Sequence, residues 1–156
     1  MRVLGIDPGY DRLGVAIVEK QADTETVVYS SCIETDANTD LATRLATLGT
    51  ALEKVINTYN PELIGIETLF FNKNIKTALN VAHARGVVLY IAGQKKLSII
   101  ELSPQQIKVA VTGYGNSDKT AVTTMVHQLA NNVPNKAHDD EYDAIAAGIT
   151  ALAHYR

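Results

Sequence analysis

At 156 residues, 46% hydrophobic and 20% charged, the chain has the composition of an ordinary globular protein, read as one domain over 1–156. No apolar run approaches the roughly 20 residues of a membrane span, and an early strand bearing Asp7 argues against a signal peptide, so the expected location is the cytoplasm. The net charge of −3 gives no overall basic footprint for nucleic acid.

Residues 2–7 predict a central strand, apolar until Asp7. Gly14–Val18 and Thr26–Ile33 predict two more, with Lys20–Glu25 as the turn between them. Leu41, Leu45, Leu48, Leu52, Val55, Ile56 and Tyr59 recur at helical spacing; Asp40 or Thr39 can cap that helix, and Asn60-Pro61 ends it. Leu63–Ile66 is the fourth strand.

A helix from about Ile75 to Ala92 is apolar on more than one face, which suggests a partner surface, a dimer contact being the candidate. Leu97–Leu102 is the fifth strand. Ser103 and Pro104 suit the N-cap and first position of a short helix. A loop at Thr112–Asn116 precedes a helix that Ser117 can cap, and a last helix starts near His138. Hairpins followed by helical crossovers predict an α/β fold: a five-stranded mixed sheet flanked by helices. Were strand four parallel to strand one, Asp7 and Glu67 would leave the sheet at one edge, where open α/β sheets hold ligands.

The acids gather at Asp7, Glu67 and Asp139 to Asp143, the bases at Lys73, Lys76, Arg85, Lys95, Lys96, Lys108 and Lys119. Pro8 stops the first strand with Asp7 at its rim. Glu67 ends another apolar strand. Asp140 and Asp143, at i and i+3, share a helix face, although Asp139 and Asp143 form an i, i+4 pair and leave the register open. His138 can serve as an outer ligand or as a surface residue. Buried acids at strand ends are costly unless neutralised. Hard cations such as Mg2+ and Mn2+ choose oxygen ligands, and two ions about 4 Å apart promote phosphodiester hydrolysis. The lone Cys32 rules out an internal disulfide and a cysteine-based zinc cluster.

The ordered set Gly5-Ile6-Asp7-Pro8-Gly9, Leu13-Gly14-Val15-Ala16, Ile66-Glu67 followed by Phe70, Val111-Thr112-Gly113-Tyr114-Gly115 leading to Lys119, and Asp140-x-x-Asp143-Ala-Ile-Ala resembles the RuvC family of bacterial Holliday-junction resolvases across essentially the whole chain. The resemblance implies an RNase H-like fold, a homodimer and paired symmetric nicking of four-way DNA junctions with Mg2+, in recombination and repair. Under it, Asp7, Glu67, Asp140 and Asp143 are the catalytic metal ligands, holding two Mg2+ ions that Mn2+ can replace. Phe70 stacks near the junction centre, with Phe71 as the other aromatic that could do so, and Lys108 and Lys119 lie at the DNA. A RuvA-RuvB branch-migration complex is the implied partner that hands over the junction. The chain departs from the pattern in its low pI, near 5.8, and in lacking a long basic tail after the last helix.

Two alternatives remain at this level: another RNase H-like nuclease of the ribosomal-RNA-trimming kind, and a catalytically inactive junction-binding protein. An actin-like sugar kinase shares the strand-Asp-Gly opening but needs a second lobe to enclose ATP.

Overall fold

The computed structural model describes residues 1–69 and 75–155. Six strands form one sheet in the order β5-β4-β1-β2-β3-β6. Strands β1 (Arg2–Asp7), β2 (Arg12–Gln21) and β3 (Thr24–Glu34) make an antiparallel meander, while β4 (Leu63–Glu67) runs parallel to β1 and β5 (Ser98–Leu102) parallel to β4. The sixth strand, β6 (Ala130–Asn131), is parallel to β3. It corrects the expected count of five: two residues between helices carry no period-2 pattern, and only tertiary pairing makes them a strand. The hairpin between β2 and β3 is also tighter than the Lys20–Glu25 turn expected from polarity, because Lys20↔Glu25 and Gln21↔Thr24 are ladder pairs and Ala22 takes a positive φ of 54°.

Helices cover both faces. Strand alternation sends Leu4, Ile6, Val15, Ile17, Ile64 and Ile66 toward α1 (Leu41–Tyr59) and α2 (Ile75–Lys95), where they meet Leu48, Leu52, Val55, Val88 and Ile91. The opposite face, with Val3, Ala16, Val18 and Leu63, packs against α3 (Pro104–Thr112), α4 (Lys119–Leu129) and α5 (Asp139–His154).

The caps follow the sequence in most places. The Asp40 side chain accepts from the Thr43 amide at the head of α1, and Asn60 closes that helix in the left-handed region. Ser103 and Gln106 form a reciprocal capping box on α3, ahead of Pro104. The predicted Ser117 cap of α4 is a correction: Asp118 takes that role by accepting from the Ala121 amide, and Ser117 instead pairs with Thr112 and donates to the Tyr114 carbonyl, closing the Gly113 loop. Either residue type satisfies the helix end, so composition alone did not separate adjacent positions. Among the described residues, no helix is long and apolar enough to cross a membrane.

Candidate active site

Asp7 ends β1 directly opposite Gly14 of β2. The loop between these strands is held from beneath by α1. Arg44, only 8% exposed, pairs with the Asp11 carboxylate. It also donates through Nε to Thr35 Oγ1 at 2.9 Å and lies 4.6 Å from the centre of the Tyr10 ring. Arg44 was legible as an anomaly, a charged residue in the apolar stripe of α1, but its partner was not.

Glu67 comes to the same rim because β1 and β4 run parallel in the register Ile6↔Ile66. Alternation then places Asp7 and Glu67 on the face that α5 covers. That helix supplies Asp140 and Asp143, and glycines set its path. A Cβ on Gly5 would lie 2.0 Å from the carbonyl oxygen of Ala144, one on Gly14 would lie 1.9 Å from that of Asp140, and one on Gly65 would lie 2.6 Å from Ala151 Cβ. Bare strand backbone lets the helix backbone rest on the sheet, with its first turn beside Asp7. The structure also separates the neighbouring acids. The Asp140 and Asp143 side chains are about 30% exposed, at 31% and 29%, whereas Asp139 is 75% exposed and turns outward.

These carboxylates act on one another. Burial, and then the charges of Glu67, Asp143 and Asp140, push the Asp7 carboxyl up to about 8, with Lys119 offsetting part of the effect. Burial and Asp143 push Glu67 up to about 7 against the pull of Lys119 and Lys108. Asp143 is raised by burial as well, although Lys119 lowers it. Lys119 sits 3.3 Å from Asp143 and 3.7 Å from Asp139. Burial would lower its own pKa, but these acids outweigh burial and hold the ammonium charged.

A cleft of about 150 Å3 opens here, lined by Glu67, Asp143, Lys108, Lys119, Pro104, Ile107 and Val122. The two lysines thus share one cavity with two of the acids. Even with these ammonium groups nearby, burial and then mutual repulsion hold Asp7 and Glu67 above the ordinary carboxylate range, so the protein alone does not stabilise all of the acids in ionised form. An all-oxygen donor set that needs a further cation to ionise fully fits hard divalent cations.

Arg12, which the sequence did not single out, stands at the edge of the centre, 3.9 Å from Asp140 and 3.5 Å from His138 Nδ1. His138 itself is the N-cap residue of α5 and makes no side-chain cap; its Nε2 faces Glu34 Oε1 at 3.1 Å. Phe70, like Phe71, lies outside the described residues.

A mixed sheet crossed by one helix, with carboxylates converging over its central parallel strands, defines the RNase H-like class of nuclease domains. Residues 3–151 match the sequence model of the crossover junction endodeoxyribonuclease RuvC. This chain belongs to the RuvC family. The crossover junction endodeoxyribonuclease RuvC of Halothermothrix orenii is 41% identical over 156 residues, covering 100% of this chain and 94% of its own length. The solved structure of Thermus thermophilus RuvC in complex with Holliday junction substrate has a TM-score of 0.93 at 27% identity, covering 100% of this chain and 95% of that one. The yeast mitochondrial Holliday junction resolvase Ydc2 shares the fold at a TM-score of 0.69 and 20% identity, over 99% of this chain and 81% of that chain.

Proposed function

We propose that this chain is a single-domain endonuclease that resolves four-way DNA junctions by symmetric nicking, in recombination and repair. One observation carries the reading: in a RuvC-family chain, acids from β4 and α5 line a cleft with two lysines, and the buried Asp7 of β1 interacts electrostatically with both of those acids. Asp7, Glu67, Asp140 and Asp143 are the residues that would hold the metal, two Mg2+ ions with Mn2+ as a substitute. Divalent cations, when bound, activate water and stabilise the leaving oxygen in phosphodiester hydrolysis.

The chain's own residues do the rest. Carboxylates on β1, β4 and α5 are fixed by backbone packing, so they are positioned before substrate arrives. Lys108 and Lys119 offer ammonium groups to the phosphate entering the cleft and strengthen its electrostatic grip. Phe70 is the proposed stacking residue near the junction centre. Cleavage leaving a 5′-phosphate and a 3′-hydroxyl gives ends that ligase can seal.

Paired nicks need two copies of the site. On α2, Ile75 is 75% exposed, Leu79 52% and Tyr90 68%. Their spacing of 4 and 11 residues is close to whole helical turns, so they form one stripe, opposite the buried Ala84, Val88 and Ile91. That unpartnered apolar stripe supports a homodimer built on α2. A RuvA-RuvB branch-migration complex is the proposed supplier of junctions.

The test is a comparison of labelled four-way, linear and single-stranded DNA with RNA, each with Mg2+ and with chelator. Paired, metal-dependent nicks in the four-way substrate are expected. Preferred cutting of RNA or linear duplex would transfer the chain to an RNA-trimming role, and tight binding without any cleavage would make it an inactive junction binder.

A further inference from the structure

Outside the acidic centre, the end of β3 and the N-cap of α5 bring three different donors together. Ser30, Cys32 and Glu34 alternate along β3, so all three face α5. Ser30 donates to Glu141 at 2.6 Å, and Glu34 meets His138 Nε2 at 3.1 Å. Cys32 lies between them, half-buried and paired in the ladder with Gly14, whose missing side chain admits the start of α5. The donor atoms of Cys32, Glu34 and His138 all lie within 4.8 Å of one another.

We propose that Cys32, Glu34 and His138 form a second metal site, selective for a borderline divalent ion such as Zn2+ and separate from the all-oxygen centre. Thiolate and imidazole favour Zn2+ over Mg2+, and a carboxylate completes three protein donors with water in the remaining position. Ligand bonds of about 2.0 to 2.3 Å require these atoms to close up by about an ångström. Glu34 and His138, with side chains 58% and 50% exposed, are free to make that adjustment.

His138 Nε2, the nitrogen facing Glu34, is the ligand atom. Coordination through it leaves the ring proton on Nδ1, so the Arg12 guanidinium, 3.5 Å from that nitrogen, must turn away toward Asp140 when the ion binds. Coordination displaces the thiol proton of Cys32 to solvent. The bound ion ties β3 to the N-cap of α5, the helix that carries Asp140 and Asp143. Multi-cysteine zinc patterns do not describe such a site, because its donors are a lone thiol, a carboxylate two positions on and a histidine 106 positions away.

Co2+ provides a specific readout. Cys32 is the sole cysteine, so thiolate-to-cobalt charge-transfer absorption reports this site and no other. Purified protein is titrated with Co2+ in excess Mg2+, followed by competition with Zn2+. The expected result is a saturable thiolate band that Zn2+ displaces, present in wild type and in Asp7→Asn and absent in Cys32→Ser. Glu34→Gln and His138→Ala should each weaken binding by about tenfold or more. No thiolate band in the wild type, or a band unchanged in both Glu34→Gln and His138→Ala, would overturn the proposal. The second outcome would mark an isolated reactive thiol.

Discussion

Gly14 faces Asp7 across the first hairpin, and the side chain it lacks is the space in which the carbonyl of Asp140 sits: a Cβ there would fall 1.9 Å from that oxygen. One residue thus governs the spacing between an acid on the sheet and an acid on the helix, without taking part in the chemistry. Gly5 has the same role deeper in the sheet, against Ala144 and Gly148.

Alanine at Gly5 or Gly14 must push α5 away from the sheet, since backbone atoms cannot yield as a flexible side chain would. A loss of about 3 kcal/mol or more is expected, at the upper end of overpacking. Urea denaturation measures it. Cleavage should fall further than stability explains, read as the nicking rate of protein that remains folded.

Asp7→Asn should reduce nicking by well over about 100-fold, beyond the effect of a group one contact removed from the ion. Junction binding in a gel-shift assay should be nearly intact. In chelator the same variant should be more stable than wild type at pH 8 to 9, because it removes a buried like charge. Activity and stability therefore move in opposite directions.

The raised acids predict the pH dependence of the metal-free protein. Asp7 and Glu67 have ordinary values of 3.8 and 4.5 but titrate at about 8 and about 7 in the fold. Between those limits the native state keeps protons that the unfolded chain has shed. Their stabilising contribution is complete below about pH 4 and is lost as pH rises through 7 and 8. Urea midpoints measured in chelator should fall across that window, and added Mg2+ should restore them most strongly at the alkaline end.

Lys119→Ala should weaken junction binding and reduce its salt slope by about one. Its second effect is local. Without the ammonium 3.3 Å from Asp143, the acids repel one another more, so the alkaline loss of stability in chelator should steepen. Lys119→Arg should preserve the local charge.

Arg44→Ala removes the bond to Thr35, the pairing with Asp11 and the stacking on Tyr10 together. About 1.5 to 3 kcal/mol should be lost, the range for hydrogen bonds to charged groups. The hairpin after Asp7 should loosen, seen as faster hydrogen exchange at residues 8–12.

Much of this was readable from local pattern. The strand Val3–Ile6 ending in Asp7-Pro8, the stripe from Leu41 to Tyr59, and the Ser103-Pro104 helix start all carry their signals within a few residues. The parallel pairing of β1 and β4 stood only as a condition, because two strands and α1 lie between them in the chain. Other features depended on distant partners. The two residues of β6 pair only because α4 delivers them beside β3. Whether Asp139 or Asp140 turns inward is decided by where Gly14 lets α5 settle, which no helix periodicity can show. Cys32 carried no signal beyond the disulfide it excludes, because His138 meets it only in the fold.

The seating of α5 on bare strand backbone has one more consequence. Contacts between main chains leave no slack to take up, so the acidic cluster can adapt by rotamer alone and not by helix movement. Any misfit between enzyme and branched DNA must then be absorbed by the nucleic acid, and junctions that flex readily at the crossover should be the ones cut fastest.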